Sequence, residues 1–148
     1  MSERITVNEV LPHAPALVWW AITTPALMAR WLRMQPTGFV AEPGTRFTFQ
    51  TTPAGAWDGT IHCEVLEAIP PARLVFSWRG GHAGNTGYGS LLDTVVTFTL
   101  TPHEGGTRLT IVHAGFELPR NQSALTTMGG GWKGVMERIA AIASEDTE

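Results

Sequence analysis

The sequence predicts an α+β domain in which a curved antiparallel sheet grips one long C-terminal helix. Three observations carry this. Hydrophobic residues alternate with a period of two from residue 37 to about residue 113. A helical period occupies residues 121 to 144. No second run of comparable length could cover the apolar face that the alternation creates, and a sheet with one apolar face must bury it against something.

The opening stretch, MSERITVNEV, alternates and reads as a first strand. Residues 12 to 33 then read as two short helices. Pro15 suits an early helical position, and Thr24-Pro25 reads as an N-cap followed by a first-turn proline. Val18 with Ile22, and Leu27 with Trp31, fall at helical spacings. In the alternating region Phe47 and Phe49 share one parity, as do Trp57, Ile61, Cys63 and Val65. Leu74, Phe76 and Trp78 follow, then Val96, Phe98 and Leu100, then Leu109, Ile111 and His113. Pro43-Gly44, Pro53 to Gly55, Pro70-Pro71 and Glu104-Gly105-Gly106 separate the runs as turns. In the last helix Trp132, Val135, Met136, Ile139, Ile142 and Ala143 form one apolar stripe. Neither a repeat nor a linker interrupts the pattern, so residues 1–148 are expected to form a single domain.

Composition narrows the function. The chain of 148 residues is 43% hydrophobic and 16% charged, which disfavours disorder. A domain of this size typically buries roughly 70% of the surface its unfolded chain exposes, so it needs no staple. The net charge of -3 argues against nucleic acid and against a basic membrane-surface helix. The opening residues lack an apolar run, and prolines interrupt the stretch from Leu11 to Ala29, so a cytoplasmic protein without a membrane span is expected. The acceptor pattern Asn121-Gln122-Ser123 then carries no meaning.

Several motifs invite chemistry. Gly129 to Gly134 has the spacing G-x-G-x-x-G, but only fourteen residues follow, too few to complete a dinucleotide-binding unit. The glycines instead suggest close backbone packing, a kink, or room beneath the helix; a helix that starts after a glycine loop is the plainer reading. His13, His62, His82, His103 and His113 show no metal-ligand spacing, and His62 and Cys63 point to opposite faces, so no metal and no cofactor is expected. Cys63 sits among apolar neighbours, which raises a thiol's pKa, and no G-x-S-x-G occurs. His113 shares the covered face. It is either a satisfied core histidine or a polar contact in a pocket. The ring-bearing residues of the same parity either form a large core or line a hollow that the helix leaves unfilled. The stretch Arg79 to Ser90, with five glycines, is either a mobile flap at the mouth or a loop without a role.

The order and spacing of short motifs resemble the START-like, or SRPBCC, superfamily with the helix-grip fold, and within it the branch named for the activator of heat-shock-protein ATPase. The matching pieces are Ala14-Pro15 with Val18-Trp19, Thr23-Thr24-Pro25 and Trp31. Pro43-Gly44 before Phe47 follows, then Val65-Leu66-Glu67, Pro70-Pro71 and Leu74 to Trp78. Gly105 to Thr110 with His113 and Gly115-Phe116, and Gly131-Trp132, complete them. The resemblance implies about seven antiparallel strands around the C-terminal helix, two short helices after the first strand, and a cavity for a small hydrophobic ligand. Relatives include lipid carriers, polyketide cyclases and antibiotic-sequestering proteins. Chaperone activation in the eukaryotic relatives uses a further domain that this sequence lacks.

The leading expectation is therefore a binding module for an aromatic or lipid-like molecule, without catalytic residues, acting as a monomer or homodimer. Its expected wall is Trp31, Phe47, Phe49, Trp57, Ile61, Phe76, Trp78, Phe98, His113, Trp132 and Met136. One alternative is a cyclase- or hydrolase-like enzyme using His113, with His82 or Asp58. Another is a protein-interaction module, such as a chaperone partner, with an outer surface around Trp19 or Trp20.

Overall fold

The computed structural model describes residues 2–145. In chain order the elements are β1 (Ser2–Leu11), α1 (Pro15–Thr23), α2 (Pro25–Leu32), β2 (Pro36–Thr37), β3 (Arg46–Gln50), β4 (Thr60–Ile69), β5 (Arg73–Gly80), β6 (Leu92–His103), β7 (Gly106–Glu117) and α3 (Gln122–Glu145). The strands form one antiparallel sheet in the order β1-β7-β6-β5-β4-β3-β2. β1 pairs with β7, so α1 and α2 must carry the chain from one sheet edge to the other. Both pack against α3, which also lies on β1 and β7.

Local chemistry explains the helix boundaries. Pro15 and Pro25 each occupy the first turn of their helix, where a missing N–H costs nothing. Thr24 stands at the N-cap position of α2 as expected, yet its hydroxyl donates back to the Trp20 carbonyl instead of accepting from α2. Thr23 does the same with Trp19. The paired threonines thus close α1 and leave α2 without a side-chain cap. α2 ends at Arg33 in the left-handed region, φ 62°.

The inward parity of the strands is as expected. Phe47, Phe49, Ile61, Cys63, Val65, Leu74, Phe76, Trp78, Val96, Phe98, Leu100, Leu109, Ile111 and His113 are all buried. Two departures matter. Trp57 is not in a strand, because β4 begins at Thr60. Asp58 Oδ1 accepts from Thr60 N, and Gly59 takes φ +83°, where a side chain would meet the Thr51 carbonyl. The second departure is a bulge at Gly115, φ +108°, opposite the shift between Glu3 and Arg4. It reverses the alternation and turns Phe116 inward beside His113, with ring centroids 4.7 Å apart.

α3 starts at Gln122, seven residues before the glycine run, so the helix does not begin after a glycine loop. A Cβ added at Gly129, Gly130 or Gly131 would meet nothing within 4 Å, which also removes close backbone packing as the reason for them. The helix is held at both ends. Buried Asn121 donates to the Ser90 hydroxyl and the Leu91 carbonyl, and accepts from Glu117 N. At the far end Glu145 pairs with Arg30, and His13 Nε2 lies 3.2 Å from the Ser144 hydroxyl.

The rings expected to enclose a hollow divide into two groups. Phe47 packs edge-on against Phe39, Phe49 and Phe76 at 5.0, 5.5 and 5.3 Å. Phe98 joins Phe76 to Trp31, whose Nε1 donates to the Ala21 carbonyl. That part of the interior is solid core. The hollow lies elsewhere.

Candidate functional site: a cavity at one end of the sheet

Antiparallel register brings the end of β3, the start of β4, the end of β5 and the start of β6 to the same end of the sheet: Gln50 lies opposite Thr60, His62 opposite Arg79, and Gly80 opposite Leu92. The first half of α3 passes over this end and does not fill it. From Gln122 to Gly131 no residue is buried, whereas Trp132, Val135, Met136, Ile139, Ile142 and Ala143 all are. Beneath that half-helix lies a partly enclosed cavity of about 130 Å³. Its walls are Ile61, Trp78 and Leu92 from the sheet, Ala124 and Met128 from α3, Met34, and Trp57 and Tyr88 at the mouth. Thr51, Ser90, Ser123 and Thr127 contribute hydroxyls. Among the described residues the lining carries no carboxylate, imidazole, thiol, amine or guanidinium.

The glycine-rich stretch after β5 forms the mouth and is tied down. Asn85 donates to the Ala54 and Gly89 carbonyls, and the Tyr88 hydroxyl donates to the Thr52 carbonyl at 2.6 Å. The Tyr88 and Trp57 rings stand 6.0 Å apart. Gly81, at φ +75°, lies so close to the Ser90 carbonyl that no side chain fits there.

Trp78 sits at the junction of two spaces. It lines the cavity and also a shallower groove of about 150 Å³ bounded by Leu32, Met34, Met128, Trp132, Val135 and Arg138. Trp78 is only 3% exposed, and its indole N–H has no acceptor among the described residues. A buried donor left unsatisfied is costly, on the order of 1–3 kcal/mol.

His113, at 0% exposure, belongs to a closed relay. Trp132 Nε1–H donates to His113 Nδ1 at 3.0 Å, so that nitrogen is unprotonated. Nε2–H is left to donate to Thr94 Oγ1 at 2.7 Å, and the threonine hydroxyl donates onward to the Trp78 carbonyl. Burial pulls the imidazole pKa down to about 3, so the ring is neutral. Both nitrogens are occupied within the core, which leaves His113 no proton to exchange with a molecule in the cavity. Burial likewise pushes the Cys63 thiol up to about 12.

Of the residues expected to form the wall, Trp57, Ile61 and Trp78 line the cavity and Trp132 lines the adjoining groove. Trp31, Phe47, Phe49, Phe76 and Phe98 fill the core, and His113 is sealed behind Trp132. Met136 faces the β1 side, in a separate depression with Thr6 and Val7. Met34, Tyr88, Ser90, Leu92, Ala124 and Met128 were not anticipated. The helical stripe could have found two of them, since Ala124, Met128 and Trp132 follow one another at a spacing of four across the glycines. His82 and Asp58 are exposed and outside the cavity lining. No cluster among the described residues is placed to hold a metal ion, and no helix among them is long and apolar enough to cross a membrane.

Comparison with known proteins agrees with this architecture. MLL2253 from Mesorhizobium loti is 30% identical, with a TM-score of 0.84 over 99% of this chain and 100% of that one. CalU16 from Micromonospora echinospora is 24% identical, with a TM-score of 0.72 over 97% and 77% of the two chains. DynU16, of the dynemicin biosynthetic locus, is 24% identical with a TM-score of 0.70; it matches 93% of this chain, which spans 46% of that protein. The last two show a shared fold. No curated protein matches the sequence. Residues 12–144 match the family described as Activator of Hsp90 ATPase homolog 1-like protein, and the chain belongs to that family.

Proposed function

We propose that the protein binds a small hydrophobic molecule in the cavity beneath the first half of α3. The observation that carries this reading is an apolar hollow, roofed by a half-helix without a buried residue, whose wall includes Trp57, Ile61 and Trp78. The sealed position of His113 and a lining that, among the described residues, carries no carboxylate, imidazole, thiol or amine favour holding a molecule over transforming it.

Size sets the affinity. An apolar cavity of about 150 Å³ takes a benzene-sized molecule, so the hollow accepts one ring as it stands. A single ring burying roughly 150–250 Å² gains about 4–6 kcal/mol at 25 cal/mol per Å². After the cost of association this corresponds to millimolar binding at best. Micromolar affinity requires a longer molecule or added polar contacts. Titration with phenol, followed by tryptophan fluorescence excited at 295 nm, is expected to quench Trp57 and Trp78 saturably. Ala124→Phe, which fills the hollow, is expected to abolish the response while keeping the far-ultraviolet spectrum. An unsaturable response, or one indifferent to Ala124→Phe, would overturn the proposal.

A further inference from the structure

The cavity and the groove meet at Met34, Trp78 and Met128, and the groove runs beneath α3 to Arg138. Arg138 Nε is held by the Trp31 carbonyl at 2.9 Å, which fixes the guanidinium, while its two Nη groups have no partner among the described residues. The side chain folds back one turn: a Cβ at Gly134 would lie 2.9 Å from Nη1. Arg33, displayed at the left-handed end of α2, adds a second positive charge. The Arg138 pKa is lowered by burial first and then by the repulsion of Arg33, with Glu137 opposing. Glu137 itself lines the depression on the β1 side of the helix, away from the groove. The Arg138 guanidinium therefore stands at one end of an apolar channel whose lining, among the described residues, contains no acidic group, and Arg33 adds positive charge near enough to repel it.

We propose that the ligand is an amphipathic anion, with its apolar body in the cavity and its acid group on Arg138, the charge of Arg33 adding longer-range attraction. This rests on the binding function proposed above and names the ligand class for it. The helix supplies the ruler. From Thr127, over the cavity, to residue 134, where the guanidinium sits, is seven residues, or about 10 Å at 1.5 Å each. A single ring joined to a carboxylate by about five methylenes spans that distance. The carboxylate takes charge-assisted hydrogen bonds from the fork, and the connecting chain lies between Met34 and Met128.

The test uses 6-phenylhexanoate and its uncharged primary amide, titrated by calorimetry against the whole protein at low and high salt. The carboxylate is expected to bind about tenfold more tightly than the amide at low salt, and the ratio to shrink as salt is added. Arg138→Met is expected to bring the ratio close to one. Because that change also removes the bond to Trp31, Arg33→Gln serves as the second variant and is expected to lower the ratio about threefold. Equal binding of acid and amide by the unaltered protein overturns the anion site and leaves the hydrophobic cavity standing. Failure of both to bind overturns the two proposals together.

Discussion

His113 shows how one buried polar residue is made acceptable, and what it costs. Trp132, Thr94 and the Trp78 carbonyl form a chain in which every donor from Trp132 onward has an acceptor, so the core tolerates an imidazole there only in one neutral tautomer. The pH dependence follows from the sign of the shift. The folded pKa is depressed from 6.5 to about 3, so between those values the unfolded chain binds a proton that the folded protein refuses. The stability associated with neutral His113 is complete above pH 6.5 and is lost as pH falls, by about 1.4 kcal/mol per unit. Urea unfolding is expected to show the protein losing roughly 2–3 kcal/mol more than His113→Gln between pH 6.5 and 4.5. Parallel curves for the two proteins would show that this imidazole does not govern acid stability. The alternation of β7 was enough to place His113 on the covered face. Its partners could not be read, because Thr94 and Trp132 belong to elements far along the chain. The same holds for Trp78, whose inward direction is plain from parity and whose missing acceptor depends on what elements far along the chain put around it.

At the scale of the element, α3 is two helices in one. From Trp132 onward the apolar stripe is continuous and buried, and Arg30, His13 and the sheet hold it. Before Gly131 the helix is anchored only by Asn121 and by half-buried contacts. Three consecutive glycines separate the halves, each costing about 1 kcal/mol relative to alanine. Since a Cβ at Gly129 or Gly130 meets nothing, the cost is not the consequence of crowding. A weakened hinge beside an undersized cavity gives the roof freedom to lift. Gly129→Ala and Gly130→Ala are each expected to raise Tm by about 3 °C, as about 1 kcal/mol does in a chain of this length, and to slow ligand association. Unchanged melting would mean that helix propensity is not limiting there. Gly131 borders the groove, so an alanine at that position would also narrow it. The helical period of 121–144 was visible from the sequence, and the glycines obscured where it began. The stretch Arg79 to Ser90 misled in the opposite way. Its five glycines suggest looseness, but Gly81 and Gly89 serve close approaches, to Ser90 and to Asn85, while Asn85 and Tyr88 fasten the segment.

For the whole molecule, the division between packed core and hollow predicts a division in stability. β6, β7 and the second half of α3 contribute fully buried side chains such as Phe98, Leu109, Ile111 and Ile139, so their amides are expected to exchange only through global unfolding. Residues 122–131 bury no side chain and are expected to open while the sheet stays intact. Alternation alone predicted one covered face for the entire sheet. It could not reveal that the cover is tight at one end and loose at the other, because that depends on where α3 crosses and on the Gly115 bulge that brings Phe116 into the tight part. Hydrogen exchange followed by mass spectrometry distinguishes the two regions. Peptides covering 122–131 are expected to exchange orders of magnitude faster than those covering 94–100 and 107–113. Adding 6-phenylhexanoate at about 100 times its Kd is expected to slow exchange about a hundredfold in 122–131 and 80–92, since that excess stabilises the bound form by about 2.7 kcal/mol. Local openings that destroy the cavity sense the whole of this stabilisation. Global unfolding senses it too, so β6 and β7 should slow by the same factor from a far lower starting rate. Protection confined to α1, α2 or the β1 edge would place the ligand elsewhere and refute a roof that lifts. Protection absent from 122–131 alone, with the strands still slowed, would mean that the half-helix opens without disturbing the bound molecule, and so does not form its cover.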